Sequence, residues 1–132
     1  MKIALVTGAG RRQGLGFETA RQLAQLGFHV FVTARVGTKA EEHAQELQES
    51  GLHVSALQLD TTDSDSVARA VAAVTERCGR LDVLVNNAAI MAVTPVQDFR
   101  TDLDAVRQQF ETNLLGTWRM SQEFFPLLRA SG

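Results

Sequence analysis

Short apolar runs alternate along this chain with longer stretches in which apolar residues recur every three or four positions. IALV within residues 2–7 and FHVFVTA at 28–34 read as buried strands, and DVLV at 82–85 reads as a fourth strand, apolar after its first residue. HVSALQL at 53–59 mixes His53, Ser55 and Gln58 with apolar neighbours. That alternation suits a strand at a sheet edge, with one face wetter than the other. The intervening segments read as helices. One covers 15–26 and stops at Gly27. A second opens at a capping box of Thr38 and Glu41, carries a narrow stripe of Ala40, Ala44 and Leu47, and closes at Gly51. In a third, Asp63 caps a face of Val67, Ala70, Val71 and Val74. A loop through Pro95 then leads into helical sequence from about Thr101 to Arg129.

Strands joined by crossover helices form a parallel sheet wound in right-handed units. The expected fold is therefore α/β, a Rossmann-type doubly wound parallel sheet with strand order 3-2-1-4. Ligands of such sheets lie outside the carboxyl ends of the strands.

With 132 residues the chain is long enough to bury roughly two-thirds of its unfolded surface in one domain. Acids and bases interleave to a net charge of −2 without a basic block, so neither nucleic acid nor an anionic membrane is an expected partner. Cys78 is the only cysteine, which excludes an internal disulfide and fits a reducing, cytoplasmic setting. His29, His43 and His53 share no metal-ligand spacing and read as surface or core filler, so no metal site is expected. The acids of AEEHAQELQE read as a solvated helix face. DTTDSDS lacks the glycine and terminal glutamate of a calcium loop.

The chemistry lies in TGAGRRQGLG, residues 7–16, between the first strand and the first helix. A helix amino terminus offers unpaired N–H groups and the positive end of a dipole, and a pyrophosphate fits against both. Gly14 and Gly16, with Leu15 between them, stand where glycine lets the backbone approach phosphate and lets the helix sit close to the strand.

This turn resembles the TGxxxGxG of the classical short-chain dehydrogenases/reductases. Thr7 and Gly8 match its start, and Gly14 and Gly16 its end, with five residues between instead of three. Counting from Gly10 instead restores the spacing and loses the threonine; the first alignment keeps ALVTGAG as the normal strand end and leaves a two-residue bulge in GRRQ. Four further segments carry the resemblance. Arg35, in TAR after the second strand, stands where members using NADP have a base, and a guanidinium grips a 2′-phosphate that a carboxylate would repel. Arg11 and Arg12 are expected to add to that field. LDTTD implies that Asp60 and the Thr61 backbone contact adenine. NNAAI, residues 86–90, stands for NNAGI: its backbone at Asn86, Asn87, Ala88 and Ala89 would border the ribose, with Ala89 in place of a glycine. FETNLLGT places Asn113 at the family's catalytic asparagine, and FFPLL is similar to the carbonyl-reductase members.

The resemblance thus implies one NAD(P)-binding domain over residues 1–132, with NADP(H) as cofactor and, in the full-length protein, a small ketone or aldehyde as substrate. It covers the first half of a typical member, without that family's later strands. Family catalysis uses a serine and a Tyr-x-x-x-Lys beside the asparagine, the tyrosine protonating the carbonyl as hydride arrives. This sequence has no tyrosine, and its only lysines are Lys2 and Lys39. The chain by itself is therefore expected to be inactive, a dinucleotide-binding piece of a longer reductase. A non-catalytic binding module, or a fold that binds no nucleotide because the lengthened turn and Ala89 spoil the site, are the other readings. The fourth strand would have an open edge, and the last helix would expose apolar residues. Either feature is expected to support homo-oligomer contacts.

Overall fold

The computed structural model describes residues 1–91 and 100–132. The loop expected through Pro95 lies outside them. Four parallel strands, β1 (Ile3–Val6), β2 (His29–Ala34), β3 (Val54–Gln58) and β4 (Val83–Val85), form a sheet in the order β3-β2-β1-β4. Each is a residue or two shorter than the apolar run that predicts it. Register pairs Ala4 with Val30 and Val83, and Val30 with Val54. Among the described residues, β3 and β4 are the two sheet edges.

Both faces of β1 are buried, as a continuous apolar run requires. Ala4 and Val6 face α1 (Leu15–Gln25) and α2 (Gly37–Glu49), where Phe17, Ala20, Ala44 and Leu47 complete one core layer. Ile3 and Leu5 face the other layer, built from α3 (Ser64–Cys78) and the last helix through Val67, Val74, Met120 and Phe124. Asp63 caps α3 as expected, its side chain accepting from the N–H groups of Asp65 and Ser66. Gly79 ends that helix at φ +68°, a conformation that glycine reaches without a Cβ penalty.

One expectation fails. The capping box at Thr38 is absent: α2 begins at Gly37, Val36 is its extended cap residue, and no side chain caps it. A Cβ on Gly37 would lie 3.5 Å from the Gln58 side chain, so α2 begins close beside the end of β3. The helical stretch expected from about Thr101 to Arg129 is present, but it is not one regular α-helix. α4 (Leu103–Phe110), capped by Asp102, passes into one wider π-helical turn at Glu111–Gly116 and then into α5 (Thr117–Ala130). Such single-turn bulges cluster at functional sites. The apolar face expected to be open is open: Phe110, Leu114, Leu115, Trp118 and Phe125 are exposed, while Met120, Phe124 and Leu127 are buried.

Candidate functional site

At the carboxyl ends of the strands lies a cleft of about 540 Å³, a size typical of ligand pockets. The glycine turn forms one wall through Gly8, Gly10, Arg11, Gln13, Gly14 and Leu15. Gly8 turns the chain at φ +69°, and a Cβ there would strike the Ala88 backbone at 2.7 Å. Gly14 is the cap residue of α1, extended at φ −85° and ψ 161°, and no side chain caps the helix. The first N–H groups of α1 therefore have no side-chain cap. Gly16 sits behind them: its Cα touches Asn87 and the Gly8 carbonyl so closely that a Cβ would meet them at 2.6 and 2.7 Å.

The opposite wall comes from the segments that follow β3 and β4. Asp60, Thr61, Asn87, Ala88 and Ala89 all line the cleft. Asp60 is held in place by Thr62, whose N–H and Oγ1 donate to its Oδ1 at 3.0 and 2.7 Å. Thr61 is buried, and its carbonyl oxygen accepts from Arg119 Nη1 at 2.6 Å. Thr7 and Asn86 stand outside this wall. Thr7 is buried under it, its hydroxyl accepting from the N–H groups of Asn87 and Ala88 at 3.0 and 2.9 Å. It fixes the segment after β4 rather than meeting a ligand. Asn86 is exposed and donates to Ser121 Oγ on α5.

The cations divide. Arg35, the residue after β2, lines the cleft together with Arg11 and Lys39. Lys39 is an addition to the expected set. It stands four residues beyond Arg35 in the first turn of α2, a spacing that could have marked it. Its exposed pair with Glu42, 3.3 Å long, restrains it little. Arg12 departs from the expectation that it adds to the phosphate field: it turns away and pairs with Glu46 of α2. Among the described residues no group of three or more His, Cys, Asp or Glu could hold a metal ion.

Asn113 lies within the π turn, and its amide makes two hydrogen bonds to a single residue. Oδ1 accepts from the Ile90 N–H and Nδ2 donates to the Ile90 carbonyl, both at 2.8 Å. The bulge is seated by Gly116, where a Cβ would lie 2.8 Å from Thr61 Oγ1. Arg119 spans it, reaching Thr61 with one nitrogen and Glu111 Oε1 with the other. Asn113 thus ties the cleft-lining segment after β4, at Ile90, to the last helix.

The family profile described as short chain dehydrogenase matches residues 2–132. The chain belongs to the short-chain dehydrogenase family. A short-chain dehydrogenase of Penicillium roqueforti is 41% identical over 98% of this chain and 50% of its own length. An actinorhodin polyketide ketoreductase variant with NADPH is 35% identical and superposes with a TM-score of 0.85 over 94% of this chain and 46% of its own. A 7α-hydroxysteroid dehydrogenase with NADH is 28% identical, with a TM-score of 0.88 over 99% of this chain and 49% of its own. The chain spans about half the length of the curated relatives it matches. Short-chain dehydrogenases bind a nicotinamide dinucleotide, and the solved relatives include both an NADPH and an NADH complex. Among the described residues no helix is long and apolar enough to cross a membrane.

Proposed function

We propose that this chain is the NADP(H)-binding part of a short-chain oxidoreductase that reduces a ketone or aldehyde. The observation that carries the choice of cofactor is the set of cations on one cleft: Arg35, Lys39 and Arg11 line it with the glycine turn. Arg35 stands directly after β2, where its planar fork suits a 2′-phosphate and Lys39 adds a movable point charge. The fit extends to the rest of a dinucleotide. Bare backbone at Gly8, Gly10 and Gly14 leaves room for a pyrophosphate against the uncapped head of α1. Asp60 and Thr61 would hold the adenine end, and Asn87, Ala88 and Ala89 would border a ribose. A bound nicotinamide would supply hydride. Asn113 keeps the wall at Ile90 in register with the last helix, and so acts here on position. A chain with no tyrosine has no phenol to protonate a carbonyl, so the same reading expects dinucleotide binding without ketone turnover from this chain alone.

Titration of NADPH and NADH against the chain, followed by nicotinamide fluorescence, tests the reading. The unaltered chain should prefer NADPH, and Arg35→Asp should weaken NADPH at least tenfold more than NADH, the worth of a charge-assisted contact. Equal losses for both cofactors would remove the case for phosphate selectivity. Ketone reduction by this chain would overturn the expectation of inactivity.

A further inference from the structure

The helix α2 grips the lengthened glycine turn from behind. His43 and Glu46, one helical turn apart, reach Ala9 and Arg12, which are themselves three residues apart. His43 is buried, and its Nδ1 lies 2.7 Å from the Ala9 carbonyl oxygen. A carbonyl only accepts, so the ring nitrogen is the donor. Glu46 takes Arg12 with both oxygens, at 2.7 Å from Nε and 2.6 Å from Nη2. The same guanidinium lies 4.5 Å from the centre of the Phe17 ring, which His43 meets edge-on at 5.3 Å. Phe17 belongs to the first turn of α1, so all these contacts converge on the head of that helix. Arg11 and Gln13, on either side of Arg12, line the cleft.

We propose that Arg12, Glu46 and His43 are positioning residues that hold the longer turn open for a dinucleotide's bridging phosphates. The inference rests on the dinucleotide reading above. The residues between Gly8 and Gly14 have more conformations than a shorter turn, and an unanchored segment carrying Arg11 and Gln13 can fall across the cleft. Anchoring Arg12 to α2 removes those conformations before a ligand arrives, which strengthens binding without adding a contact to it. The bridging phosphates are common to NADPH and NADH. The anchor therefore acts on both equally, unlike Arg35.

The test uses the whole chain with Arg12→Ala, Glu46→Ala and the exchanged pair Arg12→Glu/Glu46→Arg, each titrated with NADPH and with NADH and melted thermally. Each single change should weaken both cofactors by the same factor, up to about tenfold for an exposed ion pair with a cation–π contact. The melting point should stay within a few degrees, because Arg12 is exposed and Glu46 is only half-buried, at 58% and 43% side-chain exposure. The exchanged pair should bind better than either single variant. Single variants that bind both cofactors as well as the unaltered chain would overturn the inference alone. A loss confined to NADPH, or one that tracks a collapse in melting point, would also overturn it. An unaltered chain that binds neither cofactor would remove the dinucleotide reading, and this inference with it.

Discussion

Replacing Gly16 by alanine adds one methyl group where the glycine turn meets the wall after β4. That methyl would sit 2.6 Å from Asn87 Nδ2, 2.7 Å from the Gly8 carbonyl oxygen and 3.1 Å from the Ala9 Cα. Two of these neighbours are backbone. The third cannot swing away freely, because Asn87 Nδ2 donates to the carbonyls of Thr7 and Gly8 at 3.1 and 3.2 Å. Overpacking of this kind costs about 1–3 kcal/mol. Each hydrogen bond that Asn87 gives up adds about 1 kcal/mol. Alanine's helix propensity returns at most about 1 kcal/mol. With both hydrogen bonds lost the net is about 2–4 kcal/mol, or roughly 6–20 °C in melting temperature for a chain of this size. Urea unfolding measures the loss, and NADPH titration on the still-folded protein measures what the displaced turn does to binding. Gly10→Ala is the control: its Cβ would meet only the Ala34 side chain, at 3.3 Å, and should cost less than about 1 kcal/mol. A Gly16→Ala chain as stable as the original would refute the steric account, as would equal damage from Gly10→Ala.

Three further outcomes follow from single side chains. Asn113→Ala removes both hydrogen bonds to Ile90, about 1–2 kcal/mol in total, and should speed hydrogen exchange at the Ile90 amide while leaving β1 amides protected. His29 is half-buried beside His53 and Arg77, and burial first, then those charges, hold its pKa below 6.5. The folded chain therefore binds that proton less readily than the unfolded one. Its contribution to stability is complete above pH 6.5 and falls as acid is added through the folded pKa. Urea midpoints measured between about pH 7.5 and pH 5 should decline less steeply in His29→Gln. Phe124→Ala empties a fully buried site between α5 and the sheet and should cost about 3–5 kcal/mol by urea unfolding.

Strand order was readable because burial on both faces leaves its mark in every residue of a run. Val30, Phe31 and Val32 are all buried, whereas β3 shows Ser55 and Ala56 half-covered and Gln58 exposed, as an edge strand should. Asp63 was readable because a cap acts within three residues. The start of α2 was not, because the helix begins at Gly37 beside Gln58 of another element, one residue before Thr38, and no side chain caps it. The π turn was hidden for the same reason. Its seat is Thr61, far away in sequence, and the periodicity of residues 101–129 has no mark of a wider turn.

The glycine turn shows where local reasoning ends at the site itself. Arg11 and Arg12 are adjacent and chemically identical, so nothing in GRRQ decides which of them faces a phosphate. The decision is made by Glu46, 34 residues away, and by Phe17, both of which claim Arg12. The cleft keeps Arg11, Arg35 and Lys39. The consequence is a division of labour among cations that look alike in sequence. Charge on Arg12 serves the shape of the turn and is matched locally by Glu46, so removing it should not alter the preference between NADPH and NADH. Charge on Arg35 is left facing the cleft, so removing it should alter that preference and leave the turn intact.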